Sequence, residues 1–233
     1  HSAFDPVAVV EAIQNEAVTS MFMVPAMIQA IVKLVPNVES YDLSSLKSIA
    51  YGAAPISATL LQEALALFKC DFSQVYGMTE TTGTVIALSP EDHDRALAGK
   101  AHLLTSCGKP CPGNEVKIID SDGNTLGPNQ TGEMCLRSAN NMVEYFNRPE
   151  ATAKTLKHGW ILTGDAGFID EEGYIYLRDR IKDMVVSGGE NIYPVEVENV
   201  LSGLPGVIEV AVIGVPDEKF GEALLAVFAM KPG

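Results

Sequence analysis

The hydrophobic period of the chain changes near Pro90, and that change limits the fold more than any single residue does. Before it, short apolar runs alternate with helical stretches. After it, from Gly108 to Arg178, the helical period gives way to short alternating runs. On the near side, Asp5-Pro6 reads as a helix start and residues 20–24 as a short buried strand. Helices are predicted over 26–34 and 57–68, with strands over 46–51 and 71–76. Such alternation predicts parallel α/β layers. Two of the strands empty into small-residue loops, Gly52-Ala53-Ala54-Pro55 and Gly77-Met78-Thr79-Glu80-Thr81-Thr82-Gly83. Sheets of this kind bind ligands at the carboxyl ends of their strands.

On the far side, strands are predicted over 115–119, 132–137, 160–162 and 174–177, with turns at Asp122-Gly123-Asn124, Pro128-Asn129 and Glu171-Glu172-Gly173. That pattern predicts a small β-barrel or twisted sheet, interrupted by one helix over 149–156. A third change follows Arg180. A strand over 184–186, a loop at Gly188-Gly189, a helix over 194–201 and strands over 207–215 and 223–230 predict the opening of a small α+β unit. The expected class is α/β in three segments: a partial α/β part over 1–97, a barrel-like part over 98–181 and an incomplete α+β part over 182–233.

Composition excludes some partners. A net charge of −14 over 233 residues repels phosphate backbones, so nucleic acid is not an expected partner. No run of eighteen apolar residues exists, and the first residues lack the pattern of a signal peptide. A cytoplasmic protein with no transmembrane segment is therefore expected. Cys107 and Cys111 flank Gly108-Lys109-Pro110, but no second Cys or His pair completes a zinc pattern, and the four cysteines read as free thiols.

The densest chemistry lies between Gly159 and Val200. A turn with an acid, Thr163-Gly164-Asp165, is followed by the alternating run Tyr174-Ile175-Tyr176-Leu177, the charged cluster from Arg178 to Asp183, and the glycine pair before a helix start at Tyr193-Pro194. A carboxylate that accepts from two vicinal hydroxyls, with an arginine beside it, suits a ribose. Taken alone, the stretch is equally a hairpin with a solvated charged tip. The other motifs also have ordinary readings. Gly52 to Pro55 is a strand-to-helix turn, Thr79-Glu80 a helix cap with a first-turn acid, Tyr76 a core residue and Trp160 a packing residue. His93, His102 and His158 suggest no role.

In combination the motifs say more. Gly52-Ala53-Ala54-Pro55, Tyr76-Gly77-Met78-Thr79-Glu80, Gly132-Glu133, Thr163-Gly164-Asp165 and Asp179-Arg180-Ile181-Lys182-Asp183, the last followed by Ser187-Gly188-Gly189-Glu190-Asn191, occur in that order. The chain in this respect resembles the adenylate-forming acyl-CoA synthetases, the superfamily of acyl-CoA ligases, luciferases and peptide-synthetase adenylation domains. The run from Asp183 to Pro194 looks most like the fatty acyl-CoA synthetases and also fits aryl-acid CoA ligases.

The resemblance implies a two-step reaction. A carboxylate attacks the α-phosphate of ATP to give acyl-AMP and pyrophosphate, and coenzyme A then displaces AMP. It implies that Gly52, Ala53 and Ala54 line the adenine slot, that Tyr76 stacks on the base with Gln74 beside it, and that Gly77 and Met78 border the acyl carboxylate and nucleotide. Thr79 would donate to a phosphate and Glu80 would hold Mg²⁺. Asp165 would accept from the ribose hydroxyls, with Leu177 and Arg180 adjoining. Lys182 would be the hinge between the half-reactions, and Ser187, Gly188 and Gly189 would border the pantetheine arm of CoA. Tyr76 and Asp165 are thus expected to grip the two ends of one adenosine.

The family's phosphate loop and its C-terminal lysine are not found between His1 and Gly233, so the chain is expected to be an inactive internal fragment, the later part of the large domain and the start of the small one. Truncated apolar edges lead us to expect homo-oligomers. A non-catalytic nucleotide-binding relative and an unrelated α/β nucleotide-binding module remain as alternatives.

Overall fold

The structure, a computed structural model, describes residues 4–54 and 56–230. Pro55, the last residue of the first small-residue motif, lies outside them, as do His1 and Gly233. The chain divides into two compact units. The first comprises residues up to Glu115 together with Arg137–Tyr145 and Glu172–Ile175, and the second Val116–Leu136, Phe146–Glu171 and the chain from Tyr176 onward.

The first unit opens with α1 (Pro6–Glu16). The Asp5 carboxylate accepts from the amides of Val7 and Ala8, and Pro6 needs no partner at the first helical position. There follow β1 (Ser20–Met23), α2 (Pro25–Leu34), β2 (Ser48–Gly52), α3 (Ala58–Phe68), β3 (Asp71–Met78), β4 (Gly83–Leu88), α4 (Pro90–Leu97) and β5 (Lys109–Pro110). The sheet runs in the order β1-β2-β3-β4-β5, the first three strands parallel and the last two antiparallel.

The expected parallel layer is therefore only half of this sheet. Residues 77 and 78 stay in strand, and a single 3-10 turn at Thr79–Thr81 reverses the chain into β4. A turn that short leaves no room for a crossover, so the next strand must run antiparallel. β1 is also less buried than its apolar letters suggest: Met23 is in the core, but Phe22 is 54% exposed. The helix α4 has no long apolar stripe. It is fixed instead by reciprocal capping, with Ser89 Oγ accepting from the Asp92 amide and the Asp92 carboxylate accepting from the Ser89 amide.

The second unit contains most of a sheet ordered β10-β9-β7-β6, built from β6 (Glu115–Ile119), β7 (Gly132–Arg137), β9 (Trp160–Ile169) and β10 (Ile175–Arg180). The helix α5 (Pro149–Thr155) leads into β8 (Leu156–Lys157), which pairs with β9. A last sheet, β12-β11-β14-β13, is antiparallel throughout. It joins β11 (Val185–Ser187) and β12 (Glu190–Ile192) to the long hairpin of β13 (Val207–Asp217) and β14 (Gly221–Met230), with α6 (Pro194–Leu201) between the pairs.

Candidate nucleotide site

In the first unit, β2 and β3 pair in parallel with Tyr51 opposite Gln74 and Gly52 opposite Val75. Side chains two apart share a strand face, so Phe72, Gln74 and Tyr76 line one side of β3. Phe72 is buried, whereas Gln74 and Tyr76 are half-buried. Gly52 is buried at the end of β2. A Cβ there would lie 2.2 Å from the Val75 carbonyl oxygen, so strand packing by itself demands glycine. Ala53 follows in the left-handed region at φ 67°, a conformation that strains any residue with a Cβ. Ala53 and Ala54 are both exposed.

The turn after β3 is pinned from below. Buried Thr81 accepts from the Met78 amide at 3.1 Å, and its hydroxyl lies 2.9 Å from the Gly83 carbonyl. Thr79 is left exposed and Glu80 half-buried. Glu80 is also held from a distant segment, which the sequence did not indicate. The Tyr145 hydroxyl donates to Glu80 Oε1 at 2.5 Å, the Met142 amide donates to the Glu80 carbonyl at 2.6 Å, and Thr82 Oγ1 donates to the Asn140 carbonyl at 2.8 Å. Sixty-five residues separate Tyr145 from Glu80, so no local pattern could have paired them. A double-mutant cycle with Tyr145→Phe and Glu80→Gln should give a coupling energy of about 1.5–3 kcal/mol in chemical denaturation, the range for a hydrogen bond to a charged group. Additive effects would remove Tyr145 from the site.

The same unit buries one titratable pair. His93, on α4, is 1% exposed, with Nδ1 2.7 Å from the Ser89 carbonyl and Nε2 3.0 Å from the Tyr51 hydroxyl. Burial pushes the imidazole below its ordinary range, and this outweighs the opposing pull of the Ser89 carbonyl, Asp92 and Asp94. Because the folded state resists the proton, the unfolded chain binds it first. Stability is therefore full at neutral pH and falls as pH drops below about 6.5, the ordinary histidine value. The melting temperature should decline from pH 7.5 to 5.5, and His93→Gln should flatten that decline. An unchanged slope would mean that the imidazole is charged in the fold.

In the second unit, Thr163-Gly164-Asp165 is not a turn, as the sequence suggested, but a bulge inside β9. Glu133 pairs with Ala166 and Cys135 with Leu162, so β9 carries two extra residues at this point. Gly164 takes φ +72°, which favours glycine, and its amide donates to Glu133 Oε1 at 3.0 Å. Thr163 Oγ1 donates to the Met134 carbonyl at 2.8 Å and accepts from the Asp165 amide at 3.0 Å. The Gly132-Glu133 motif thus has two structural tasks. A Cβ on Gly132 would lie 2.2 Å from the Ile119 carbonyl oxygen, and Glu133 ties down the bulge. Asp165 is 8% exposed, and its Oδ1 lies 2.8 Å from Arg180 Nε. The structure therefore brings together the predicted acid and arginine. Leu177 is half-buried on β10.

Beyond β10, Lys182 sits exposed in a 3-10 turn, Ile181–Asp183. Asp179 Oδ2 accepts from the Val195 amide in the first turn of α6 at 3.1 Å, and Arg178 pairs with Glu196. Gly188 and Gly189 do not lead directly into the helix. They form the two-residue turn of the β11–β12 hairpin, with φ +61° and +90°, between paired Ser187 and Glu190. Such a turn needs positive φ at both centres, which accounts for the glycines without a ligand.

Among the described residues, no three His, Cys, Asp or Glu side chains gather to hold a metal. Glu80 alone fits Mg²⁺ in the manner usual for nucleotide enzymes, one carboxylate completed by phosphate oxygens and water.

Comparison with known proteins gives two family-model matches. A model described as AMP-binding enzyme matches residues 1–146, and one described as AMP-binding enzyme C-terminal domain matches residues 196–233. The chain is 45% identical over 231 residues to the fatty acid–[acyl-carrier-protein] ligase ScoC of Streptomyces coeruleorubidus, covering 99% of this chain and 44% of that protein. Among solved structures, the amide bond synthetase McbA of Marinactinospora thermotolerans superposes with a TM-score of 0.90 at 38% identity, covering all of this chain and 46% of that one. The o-succinylbenzoate CoA synthetase MenE of Bacillus subtilis, in complex with ATP and a magnesium ion, superposes with a TM-score of 0.84 at 35% identity, again over all of this chain and 46% of that one. The chain thus spans about half the length of the relatives it matches.

Proposed function

We propose, from the premise that this chain belongs to the AMP-binding enzyme family, that it carries the nucleotide-holding part of an ATP-dependent acid–thiol ligase. The reaction joins a carboxylate oxygen to the α-phosphorus of ATP as pyrophosphate leaves. A thiol sulfur then attacks the acyl carbonyl as AMP leaves. The observation that carries this reading is Asp165, fixed by the β9 bulge with Arg180 on one oxygen. A carboxylate held this way accepts from the vicinal hydroxyls of a ribose without reorganising.

Tyr76 offers the base a stacking face, Gln74 a polar edge, and Gly52, Ala53 and Ala54 a slot with little side chain. Gly77 and Met78 border the slot and Thr79 donates to phosphate. Glu80, steadied by Tyr145, holds Mg²⁺, which when bound neutralises phosphate charge. Lys182 serves as the hinge, and Ser187, Gly188 and Gly189 border the thiol's pantetheine arm. A fatty acid is the proposed acid, supported by the likeness to ScoC, whose name gives that substrate. The likeness to MenE, named for an aryl acid, favours an aryl substrate as the second reading. Coenzyme A is the proposed thiol. The named acceptor of ScoC, an acyl-carrier protein, is the alternative. A cytoplasmic site of action is part of the proposal; among the described residues no helix is long and apolar enough to cross a membrane.

The test is carboxylate-dependent exchange of pyrophosphate into ATP by the full-length protein, with fatty and aryl acids compared. Exchange with medium- or long-chain fatty acids is the expected result. Exchange with aryl acids alone would replace the substrate, and AMP binding without exchange for any acid would point to a non-catalytic relative.

A further inference from the structure

Residues 140–145 come back to the turn after β3 and bond it at three points. The Asn140 carbonyl accepts from Thr82 Oγ1 at 2.8 Å, the Met142 amide donates to the Glu80 carbonyl at 2.6 Å, and the Tyr145 hydroxyl donates to Glu80 Oε1 at 2.5 Å. Thr81 holds the same turn through the Met78 amide and the Gly83 carbonyl. The backbone and the side chain of Glu80 are thus tied to one segment, and the tyrosine stays with the acid it bonds. A phenol hydroxyl brings no positive charge, so it engages Oε1 without neutralising the acid. Oε2 is the oxygen left to meet a cation.

The consequence differs between cations. Ca²⁺ takes a carboxylate through one oxygen or both, in a large and flexible ligand shell. Mg²⁺ is smaller, demands a near-ideal octahedron and suits a single carboxylate oxygen completed by water and phosphate. To present both oxygens, Glu80 must give up its bond to Tyr145. To present Oε2 alone, it keeps that bond.

We propose that Tyr145 is a positioning residue for metal choice: by engaging Oε1 it limits Glu80 to one oxygen toward a divalent cation, so that the site takes Mg²⁺ over Ca²⁺. This rests on the reading of Glu80 under Proposed function and adds to it the choice of metal. Partners of this kind, one bond behind the ligating atom, orient the ligand and tune what it binds.

The experiment measures, by calorimetry, how tightly the full-length protein binds ATP in saturating MgCl₂ and in saturating CaCl₂, with no carboxylic acid present. In wild type Mg²⁺ should support the tighter binding. Tyr145→Phe should cut that preference about tenfold, the lower end of what losing the hydrogen-bond partner of a metal ligand costs. A tyrosine that served only to pack its segment would weaken binding alike with both cations. Thr82→Val is the control. It removes the bond to Asn140, leaves Tyr145 on Glu80 and should keep the wild-type preference. An unchanged preference in Tyr145→Phe, or an equal fall in Thr82→Val, overturns the inference alone. Glu80→Gln tests the parent reading. If that variant responds to the two cations as wild type does, Glu80 holds no metal, and the role of Tyr145 falls with it.

Discussion

Asp165→Ala is expected to weaken AMP binding about 100-fold while moving the melting temperature by only a few degrees. Two charge-assisted hydrogen bonds to ribose hydroxyls account for a loss of that order. The fold should tolerate the change, because the bulge is held by groups other than the carboxylate. Thr163 bonds the Met134 carbonyl and the Asp165 amide, and Glu133 bonds the Gly164 amide. The Asp165 ion partner Arg180 has a side chain 61% exposed, and water takes up that charge when the acid is removed. Asp165→Asn keeps the shape and one acceptor and should fall between the two, near tenfold. Equilibrium titration with AMP, alongside a thermal melt, measures both quantities. Equal losses in affinity and stability would make Asp165 a structural residue.

Gly77→Ala is expected to give the reverse pattern, a loss of stability above about 3 kcal/mol that precedes any question of ligand. The added Cβ would sit 1.9 Å from the Gly83 carbonyl oxygen and 2.6 Å from its carbon. Both are backbone atoms of the paired strand, at the point where the β3–β4 register shifts. Backbone in a sheet cannot move aside as a flexible side chain can. Gly123→Ala is the control: its φ is +85° but open space surrounds the Cβ position, so only the left-handed backbone is penalised, at about 1–2 kcal/mol. Urea denaturation should separate the two clearly. If Gly77→Ala were as mild as the control, the glycine would be kept for a ligand and not for the strand.

These two residues also show what could be read from the letters and what could not. The helices were legible because their signals are local: Asp5-Pro6, Ser57 and Pro194 each mark a start, and the structure begins helices there. The β4 strand and α4 were not legible, because one depends on a turn of three residues and the other on a capping box around a polar helix. Asp165 and Arg180 were identified as partners and are paired. The bulge that aims Asp165 was read as a turn, since its second strand, β7, lies thirty residues earlier. Tyr145 and the Tyr51–His93 pair escaped notice for the same reason: their partners are remote in sequence, and a lone Tyr or His carries no mark of its partner. The glycines were noticed correctly but for a reason the fold does not require, because strand packing or positive φ already demands them at 52, 77, 188 and 189.

The central claim is that the chain holds an adenine nucleotide through the carboxylate that the β9 bulge fixes. Titration of AMP into the ¹⁵N-labelled chain tests it most directly. The account predicts that the amides of Gly164 and Asp165 shift along one saturation curve, and that Asp165→Ala moves the midpoint of that curve about 100-fold upward. Shifts that do not saturate, or that leave these two amides still while others move, would contradict it.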